Sequence, residues 1–153
     1  MGVEIERKFL VKSDQWRDLA SGELYRQGYI PTLESTVRIR VVNDQGFITI
    51  KGITQGISRA EFEYEIPLED ATQMLDPLCK PPLIEKYRHK IELNGLVWEV
   101  DEFLGENRGL TIAEVELKSA DQAIDLPEWI GEDVSHDPRY YNSNLTKHPF
   151  TTW

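Results

Sequence analysis

The sequence predicts a domain that is dominated by antiparallel β-strands and carries short helices at its periphery. Segments that alternate between apolar and charged residues recur along the chain, a period typical of strands with two different faces. Turn signals such as Asn94-Gly95 separate neighbouring segments and indicate hairpins. The length of 153 residues suits one domain with a sizeable core, and no repeat or linker divides residues 1–153.

The alternation predicts about eight strands, which are mostly antiparallel because hairpin turns connect several of them. The first strand begins Val3-Glu4-Ile5-Glu6, so its apolar residues lie on one face and its carboxylates on the other. The predicted strands cover residues 3–12, 24–30, 36–42, 47–51, 59–66, 84–93, 96–103 and 111–118.

Short helices are predicted between and after these strands, where capping residues, prolines and helical apolar spacing occur. Pro77 limits the second of them, and Pro149 stops any extension of the last. The predicted helices cover residues 13–20, 68–76, 119–123, 126–130 and 137–145.

The composition favours a cytoplasmic protein that binds neither nucleic acid nor membranes. The formal net charge is −10, so a polyanion needs a local basic pocket or a divalent cation in order to bind. Cys79 is the only cysteine, which excludes an intrachain disulfide, and its apolar surroundings predict a buried thiol. The sequence shows neither a signal-peptide core nor an apolar run of membrane-spanning length.

One face of the predicted strands concentrates ionic side chains of both signs. Arg38-x-Arg40 and Lys86-x-Arg88 place like charges roughly 7 Å apart, an arrangement that an intervening anion would stabilise. This face carries Glu4, Glu6, Lys8, Arg38, Arg40, Lys51, Glu61, Glu63, Lys86, Arg88, Glu99, Asp101, Glu114 and Glu116.

Two arrangements fit these charged rows. In the first, the sheet is open, water covers the charged face and helices cover the apolar face. In the second, the sheet closes with its charges inward, so that basic residues bind phosphate oxygens and carboxylates bind a hard cation such as Mg²⁺ or Mn²⁺. A cation-bridged polyphosphate suits the second arrangement, because carboxylates alone would repel it.

The opening Glu4-x-Glu6-x-Lys8 resembles the signature of the CYTH superfamily, also called triphosphate tunnel metalloenzymes. The tail resembles that of its small bacterial members, and matching segments occur in order over nearly the whole chain. They are Arg26-Gln27-Gly28-Tyr29, Arg38-x-Arg40, Thr49-Ile50-Lys51, Ser58-Arg59 with Glu61-x-Glu63, Glu85-Lys86-x-Arg88, Asp101 near Phe103, Glu114-Val115-Glu116, and Asp137-Pro138-Arg139-Tyr140 with Asn142 and Asn144.

This resemblance implies an eight-stranded antiparallel β-barrel, a tunnel with peripheral helices whose C-terminal helix plugs one mouth. The implied metal ligands are Glu4, Glu6, Glu61, Glu63 and Glu116, of which Glu61 and Glu63 alternatively orient basic side chains. The implied phosphate-binding residues are Lys8, Arg38, Arg40, Lys51, Lys86 and Arg88, with Arg59 as either a phosphate ligand or a loop residue. The resemblance also implies that Glu114 and Asp101 support the metal or the water. Among the catalytic residues we further expect Lys86, whose pKa neighbouring cations would lower, to shuttle a proton, with Tyr29 either as its partner or as a core residue.

The implied activity is hydrolysis of the terminal phosphate of inorganic tripolyphosphate, with nucleoside triphosphates as further candidate substrates and Mg²⁺ or Mn²⁺ as cofactor. Two other functions are open on the same residues: a class IV-type adenylate cyclase, and a non-catalytic module that binds polyphosphate or nucleotides. A cyclase would release cyclic AMP and pyrophosphate from ATP, a hydrolase ADP and phosphate, and a binding module neither. The sequence leaves both a monomer and a homodimer open.

Overall fold

Nine β-strands form one antiparallel sheet in the computed structural model, which describes residues 2–153. The strands are β1 Val3–Val11, β2 Gly22–Ile30, β3 Thr36–Val42, β4 Gln45–Lys51, β5 Ser58–Ile66, β6 Ile84–Leu93, β7 Leu96–Phe103, β8 Thr111–Glu116 and β9 Ile130–Asp133. The first eight follow the order β5-β4-β3-β2-β6-β7-β8-β1, and an additional pairing of β1 with β5 closes them into a barrel.

The closing contact uses the N-terminal half of β1, in which Glu4 lies opposite Arg59 of β5. The C-terminal half of β1 pairs with β8 instead, where Glu6 lies opposite Glu116. Strand β9 extends the sheet beside the end of β1. The closed arrangement of the charged strands is therefore confirmed, and the open sheet is excluded.

The hairpins follow from their turn residues. Asn94 and Gly95 both have positive φ angles, 52° and 79°, as a two-residue turn between twisted strands requires, and they connect β6 to β7. Asn43, with a φ of 54°, begins the tight turn between β3 and β4. These two turns keep Arg88 opposite Asp101 and Arg38 opposite Thr49 in the paired strands.

The apolar outer faces of the strands are covered by short helices and by the segment after β8. Helix α1 (Leu68–Leu75) packs Ala71 and Leu75 against Ile39 of β3, in a cluster that also buries Cys79. A second cluster, centred on Trp98 of β7, lies on the other side of the barrel. It contains Phe9, Trp16, Ile91, Val100, Ala113, Val115, Leu117, Trp129 and Ile130.

The inner charged rows end in apolar residues at one end of the barrel. Ile84, Phe103 and Ile112 continue the rows that hold Lys86, Asp101 and Glu114, because alternate strand residues share a face. They cluster with Tyr140 and with Leu145 of helix α2 (Asn142–Lys147), and all five side chains are buried. The C-terminal segment therefore packs against this end of the barrel, as predicted.

Four of the five helix predictions differ from the structure. Residues 119–123 form only a turn, in which the Gln122 N–H donates to the Ser119 carbonyl. Residues 126–130 form no helix, because Trp129 is buried and its carbonyl accepts a hydrogen bond from the backbone N–H of Lys12, directly after β1. The helix predicted over 137–145 is divided by Tyr141, whose backbone is extended, into a 3-10 turn at Pro138–Tyr140 and α2. The first predicted helix is a 3-10 turn at Gln15–Asp18, and α1 ends at Leu75, as Pro77 predicts.

Two more 3-10 turns, Gly105–Asn107 and Phe150–Thr152, complete the helical structure described for residues 2–153. Within that range no helix has both the length and the apolar composition that crossing a bilayer requires.

Candidate active site

The barrel encloses a cavity of about 200 Å³ that receives side chains from each of its eight strands. Of the residues predicted for the site, those that line this cavity are Glu4, Glu6, Lys8, Tyr29, Arg38, Arg40, Lys51, Arg59, Glu61, Glu63, Lys86, Arg88, Glu114 and Glu116. The sequence prediction of the site omitted five further lining residues, which are Thr36, Glu99, Tyr141, Asn142 and Ser143.

Asp101 is the one predicted site residue that does not line the cavity. Its side chain is fully buried, and both carboxylate oxygens accept hydrogen bonds from the cations in front of it. Lys86 Nζ lies 2.7 Å from Oδ2, and Arg88 approaches both oxygens at 2.8 Å. Asp101 therefore holds Lys86 and Arg88 in place from behind.

Lys86 lies at the buried end of the charged row on β6, with only 1% of its surface exposed. Burial lowers the pKa of its ammonium to about 7, because the opposing effect of Asp101 is offset by the neighbouring Arg88 and Arg40. A lysine with this pKa exchanges its proton near neutral pH, which suits a general acid or base.

The hydrogen bonds of Lys86 differ from those predicted. Besides Asp101, its ammonium donates to Asn142 Oδ1 at 2.9 Å, whereas Tyr29 accepts a hydrogen bond from Gln27 Nε2 at 3.0 Å. The structure thus pairs Lys86 with Asn142 of the C-terminal helix and not with Tyr29. Gln27 was omitted from the predicted site although it lies in the matching segment Arg26-Gln27-Gly28-Tyr29, because strand alternation alone does not distinguish one inward glutamine.

Four cations, Arg38, Arg40, Lys86 and Arg88, form a cationic wall of the cavity on β3 and β6. Arg40 has no carboxylate within ion-pair distance among residues 2–153; its Nε donates to Gln27 at 2.8 Å. Burial, together with the charges of Arg38 and Arg88, lowers the pKa of Arg40, although a guanidinium stays protonated at physiological pH. Arg40 thus has positive charge available for an anionic ligand.

Arg38 also has hydrogen-bonding capacity to spare. One terminal nitrogen donates to Glu63 at 3.3 Å and to Thr49 at 3.2 Å. Its buried Nε has no acceptor within residues 2–153. A buried donor without a partner costs free energy, so an oxygen ligand at this position would stabilise the site.

The opposite side of the cavity is an acidic wall formed by Glu4, Glu6, Glu114 and Glu116 of β1 and β8. Strands β1 and β2 are separated by four steps in either direction round the eight-stranded order, so this wall faces the cationic one. Three cations are interspersed here. Lys8 binds Glu114 at 3.0 Å and Glu6 at 3.3 Å, while Lys51 and Arg59 bind Glu4 at 3.2 and 3.0 Å.

Two carboxylates of the acidic wall are strongly ionised because cations surround them. Burial alone would raise the pKa of Glu4, but Lys51, Glu61 and Arg59 together lower it to about 2. Burial likewise opposes ionisation of Glu114, and Lys8 leads the cations that hold its pKa well below the usual range.

Glu6 and Glu116 of this wall, and Glu61 beside it on β5, have too little positive charge around them. Burial and the adjacent Glu114 raise the pKa of Glu6 to about 7. Burial and contact with Glu4 raise the pKa of Glu61 to about 7, and burial, Glu4 and Glu99 raise that of Glu116. These side chains would be ionised more easily beside an added cation.

The geometry defines a class of protein: a tunnel-like β-barrel whose enclosed lumen presents a cationic wall opposite a row of carboxylates. The chain belongs to the CYTH domain family, whose family model matches residues 2–146.

Two curated relatives are similar along nearly their whole length, and both are inorganic triphosphatases. The protein of Acetivibrio thermocellus is 54% identical over 98% of this chain and 97% of its own length. That of Nitrosomonas europaea is 40% identical over 94% of this chain and 96% of its own. A crystal structure of an inorganic triphosphatase superposes with a TM-score of 0.67 at 33% identity, covering 93% of this chain and 96% of the other.

Proposed function

We propose that this chain is an inorganic triphosphatase that hydrolyses the terminal phosphoanhydride of tripolyphosphate inside the barrel. The observation on which the proposal rests is the enclosed cavity in which Arg40 lacks a carboxylate partner and Arg38 has an unused buried donor. Two relatives that are inorganic triphosphatases, at 54% and 40% identity, support the same activity.

The phosphate groups would bind along the cationic wall. Arg38 and Arg40 would donate to non-bridging oxygens, since guanidinium groups bind phosphate through two parallel hydrogen bonds. Lys8, Lys51, Arg59 and Arg88 line the same cavity but are already paired with carboxylates. We therefore assign Arg38 and Arg40 the main part of binding and the other cations a supporting part.

A hard divalent cation suits the carboxylates of the opposite wall. Glu61 Oε2 is buried and has no hydrogen-bond partner within residues 2–153, although Lys51 Nζ lies 3.5 Å away. Glu4, Glu6, Glu61 and Glu116 would hold the cation, with Glu63 nearer the solvent and Glu114 engaged with Lys8. Among residues 2–153, no three acidic, histidine or cysteine side chains lie close enough together to bind one metal ion. Glu4 and Glu114 are directed instead at Arg59 and Lys8.

When bound, Mg²⁺ or Mn²⁺ would neutralise phosphate charge and lower the pKa of a coordinated water. The remaining steps use side chains of this protein. Water attacks the terminal phosphorus, Lys86 in its neutral form accepts a proton from that water, and the bond between terminal phosphorus and bridging oxygen breaks. The products are phosphate and pyrophosphate, and Asp101 stabilises the ammonium that Lys86 becomes.

The proposal includes three finer statements. The cation is Mg²⁺ or Mn²⁺, because oxygen ligands favour hard cations. The chain acts in the cytoplasm as a monomer or homodimer, consistent with a single thiol, Cys79, that is free and buried. Burial raises the pKa of that thiol to about 11, so it is unreactive at neutral pH.

Phosphate release from purified protein tests the proposal. Tripolyphosphate, ATP and long-chain polyphosphate are each incubated with Mg²⁺ or Mn²⁺, and with a chelator as control. We expect release of phosphate from tripolyphosphate that depends on the cation. Formation of cyclic AMP and pyrophosphate from ATP would indicate a cyclase, and tight binding of tripolyphosphate without turnover would indicate a binding module.

A further inference from the structure

Asn142 links the C-terminal helix to the buried lysine of the cavity. Its Oδ1 accepts one hydrogen bond from Lys86 Nζ at 2.9 Å and a second from Gln27 Nε2 at 3.3 Å. Leu145, one turn further along α2, is fully buried among Ile84, Phe103 and Ile112. The packing of Leu145 therefore holds Asn142 against Lys86.

The direction of each hydrogen bond in this group is determined by Arg40. A guanidinium can only donate, so the Gln27 atom that faces Arg40 Nε at 2.8 Å must be the carbonyl oxygen. The amide nitrogen of Gln27 then has two N–H groups to donate, one to the Tyr29 hydroxyl at 3.0 Å and one toward Asn142 at 3.3 Å, where it requires an acceptor. Asn142 must present its oxygen, and this same oxygen faces Lys86.

These contacts determine where a neutral Lys86 can accept a proton. A neutral amine has two N–H donors and one lone pair, and Asp101 and Asn142 are the two acceptors that surround Nζ. With both N–H groups directed at these acceptors, the lone pair takes the remaining direction. Lys86 lines the cavity, so that direction is the one from which a proton can arrive.

We propose that Asn142 is a positioning residue for Lys86: by accepting one of its N–H groups, it directs the lysine lone pair into the cavity. The inference rests on the proposed triphosphatase function, in which Lys86 takes the proton of the attacking water. It assigns to the C-terminal helix a part in the reaction beyond closing one end of the barrel.

The test compares Asn142→Ala and Asn142→Asp with a matched control, Asn144→Ala. Asn144 lies two residues along the same helix and donates to the Pro138 carbonyl at 2.9 Å, so its loss weakens the C-terminal segment without removing a contact to Lys86. For Asn142→Ala we expect kcat for tripolyphosphate to fall about tenfold with KM within about twofold, because misdirection of a reacting group affects the chemical step.

Asn142→Asp supplies a readout that a structural role would not change. A third carboxylate near Lys86, which already has Asp101 and Glu114 as well as Arg88 and Arg40 around it, stabilises the ammonium. We expect the acidic limb of the kcat/KM profile, and the titration of the Lys86 ¹⁵Nζ signal, to move upward by about one pH unit. Neither should move in Asn144→Ala.

The outcomes separate the two proposals. If the unaltered protein releases no phosphate, the triphosphatase function fails and the role of Asn142 fails with it. If it is active, and Asn142→Ala keeps its kcat while Asn142→Asp keeps its pH profile, the positioning role alone is overturned. An equal loss of kcat in Asn142→Ala and Asn144→Ala, with unchanged profiles, would also overturn it.

Discussion

The cationic and acidic walls of the cavity differ in the kind of charge that each leaves unpaired. On the cationic wall, Arg40 lies beside Arg38 and Arg88 without a carboxylate of its own. On the acidic wall, Glu6 and Glu116 have raised pKa values because burial and other carboxylates outweigh the nearby cations. The comparison shows that neither wall is neutralised by the protein alone. A polyanion and a divalent cation that bind together would neutralise both.

The largest effect is expected from removing Lys86, the proposed proton acceptor of the cationic wall. Lys86→Ala should lower kcat for tripolyphosphate by roughly 10²–10⁴, the usual contribution of a general base, while Asp101 keeps its two bonds from Arg88. Phosphate release and thermal melting are measured together. Lys90→Ala, an exposed lysine of the same strand, is the control. Unchanged turnover in Lys86→Ala would remove this lysine from the mechanism.

Two arginines of the cationic wall should respond in different ways. Arg40→Gln is expected to raise KM for tripolyphosphate roughly 10–100-fold with a smaller loss of stability, because one hydrogen bond to Gln27 is lost but no carboxylate loses a partner. Arg88→Gln removes the bidentate partner of Asp101 and should lower stability by up to roughly 3–5 kcal/mol. Steady-state kinetics and urea unfolding measure both effects. Equal destabilisation by Arg40→Gln and Arg88→Gln would contradict the expectation that losing the carboxylate contact of Arg88 costs more than losing the Gln27 contact of Arg40.

On the acidic wall, Glu6→Gln tests the role of an incompletely neutralised carboxylate. We expect the Mg²⁺ or Mn²⁺ concentration for half-maximal activity to rise about tenfold, since one oxygen ligand loses its charge. Stability at pH 8 should not fall, because the amide removes a buried charge that Glu114 repels. Glu92→Gln, at an exposed position outside the cavity, is the control. An unaltered cation requirement would exclude Glu6 as a ligand.

A smaller effect concerns the pH dependence of stability without added ions. The pKa of both Glu6 and Glu61 rises from 4.5 to about 7 on folding, so between these values the folded protein binds more protons than the unfolded chain. The contribution of these two groups to stability must therefore fall as pH rises from 4.5 to 7. The pKa of Lys86 falls from 10.5 to about 7, so stability from this group rises between those values.

Calorimetry in a chelator should accordingly show a minimum in melting temperature near neutral pH. Each kcal/mol corresponds to roughly 2–4 °C for a chain of this length. Added divalent cation should make the minimum shallower, because it stabilises the ionised carboxylates. A melting temperature that rises steadily from pH 5 to 7 would contradict the assignment of uncompensated charge to the acidic wall.

Local patterns in the sequence predict the strands, their hairpin turns and the charged face, because these depend on residues close in the chain. Asn94-Gly95 and the alternation around Lys86 are examples. The closure of the barrel depends on Glu4 meeting Arg59, and the alternation in β1 is compatible with either an open or a closed sheet. The resemblance to a known family was needed to distinguish them.

The parts that sequence reasoning missed depend on tertiary contacts. Trp129 packs beside Trp98, and this contact replaces the predicted helix over 126–130 with an extended approach to β1. Gln27 and Asn142 belong to the lysine surroundings only because β2 and α2 meet at the closed end of the barrel. Uncharged polar residues at such positions have no periodicity or charge to indicate their role.

Calorimetric titration of the Lys86→Ala variant with tripolyphosphate, with and without Mg²⁺, tests most directly whether the two walls act together. This variant allows binding to be measured because its turnover is expected to be greatly reduced. We predict one binding site per chain, an affinity at least about tenfold higher with Mg²⁺, and loss of binding when Arg40→Gln is added. Binding that is indifferent to both Mg²⁺ and Arg40 would show that tripolyphosphate does not bind between the walls.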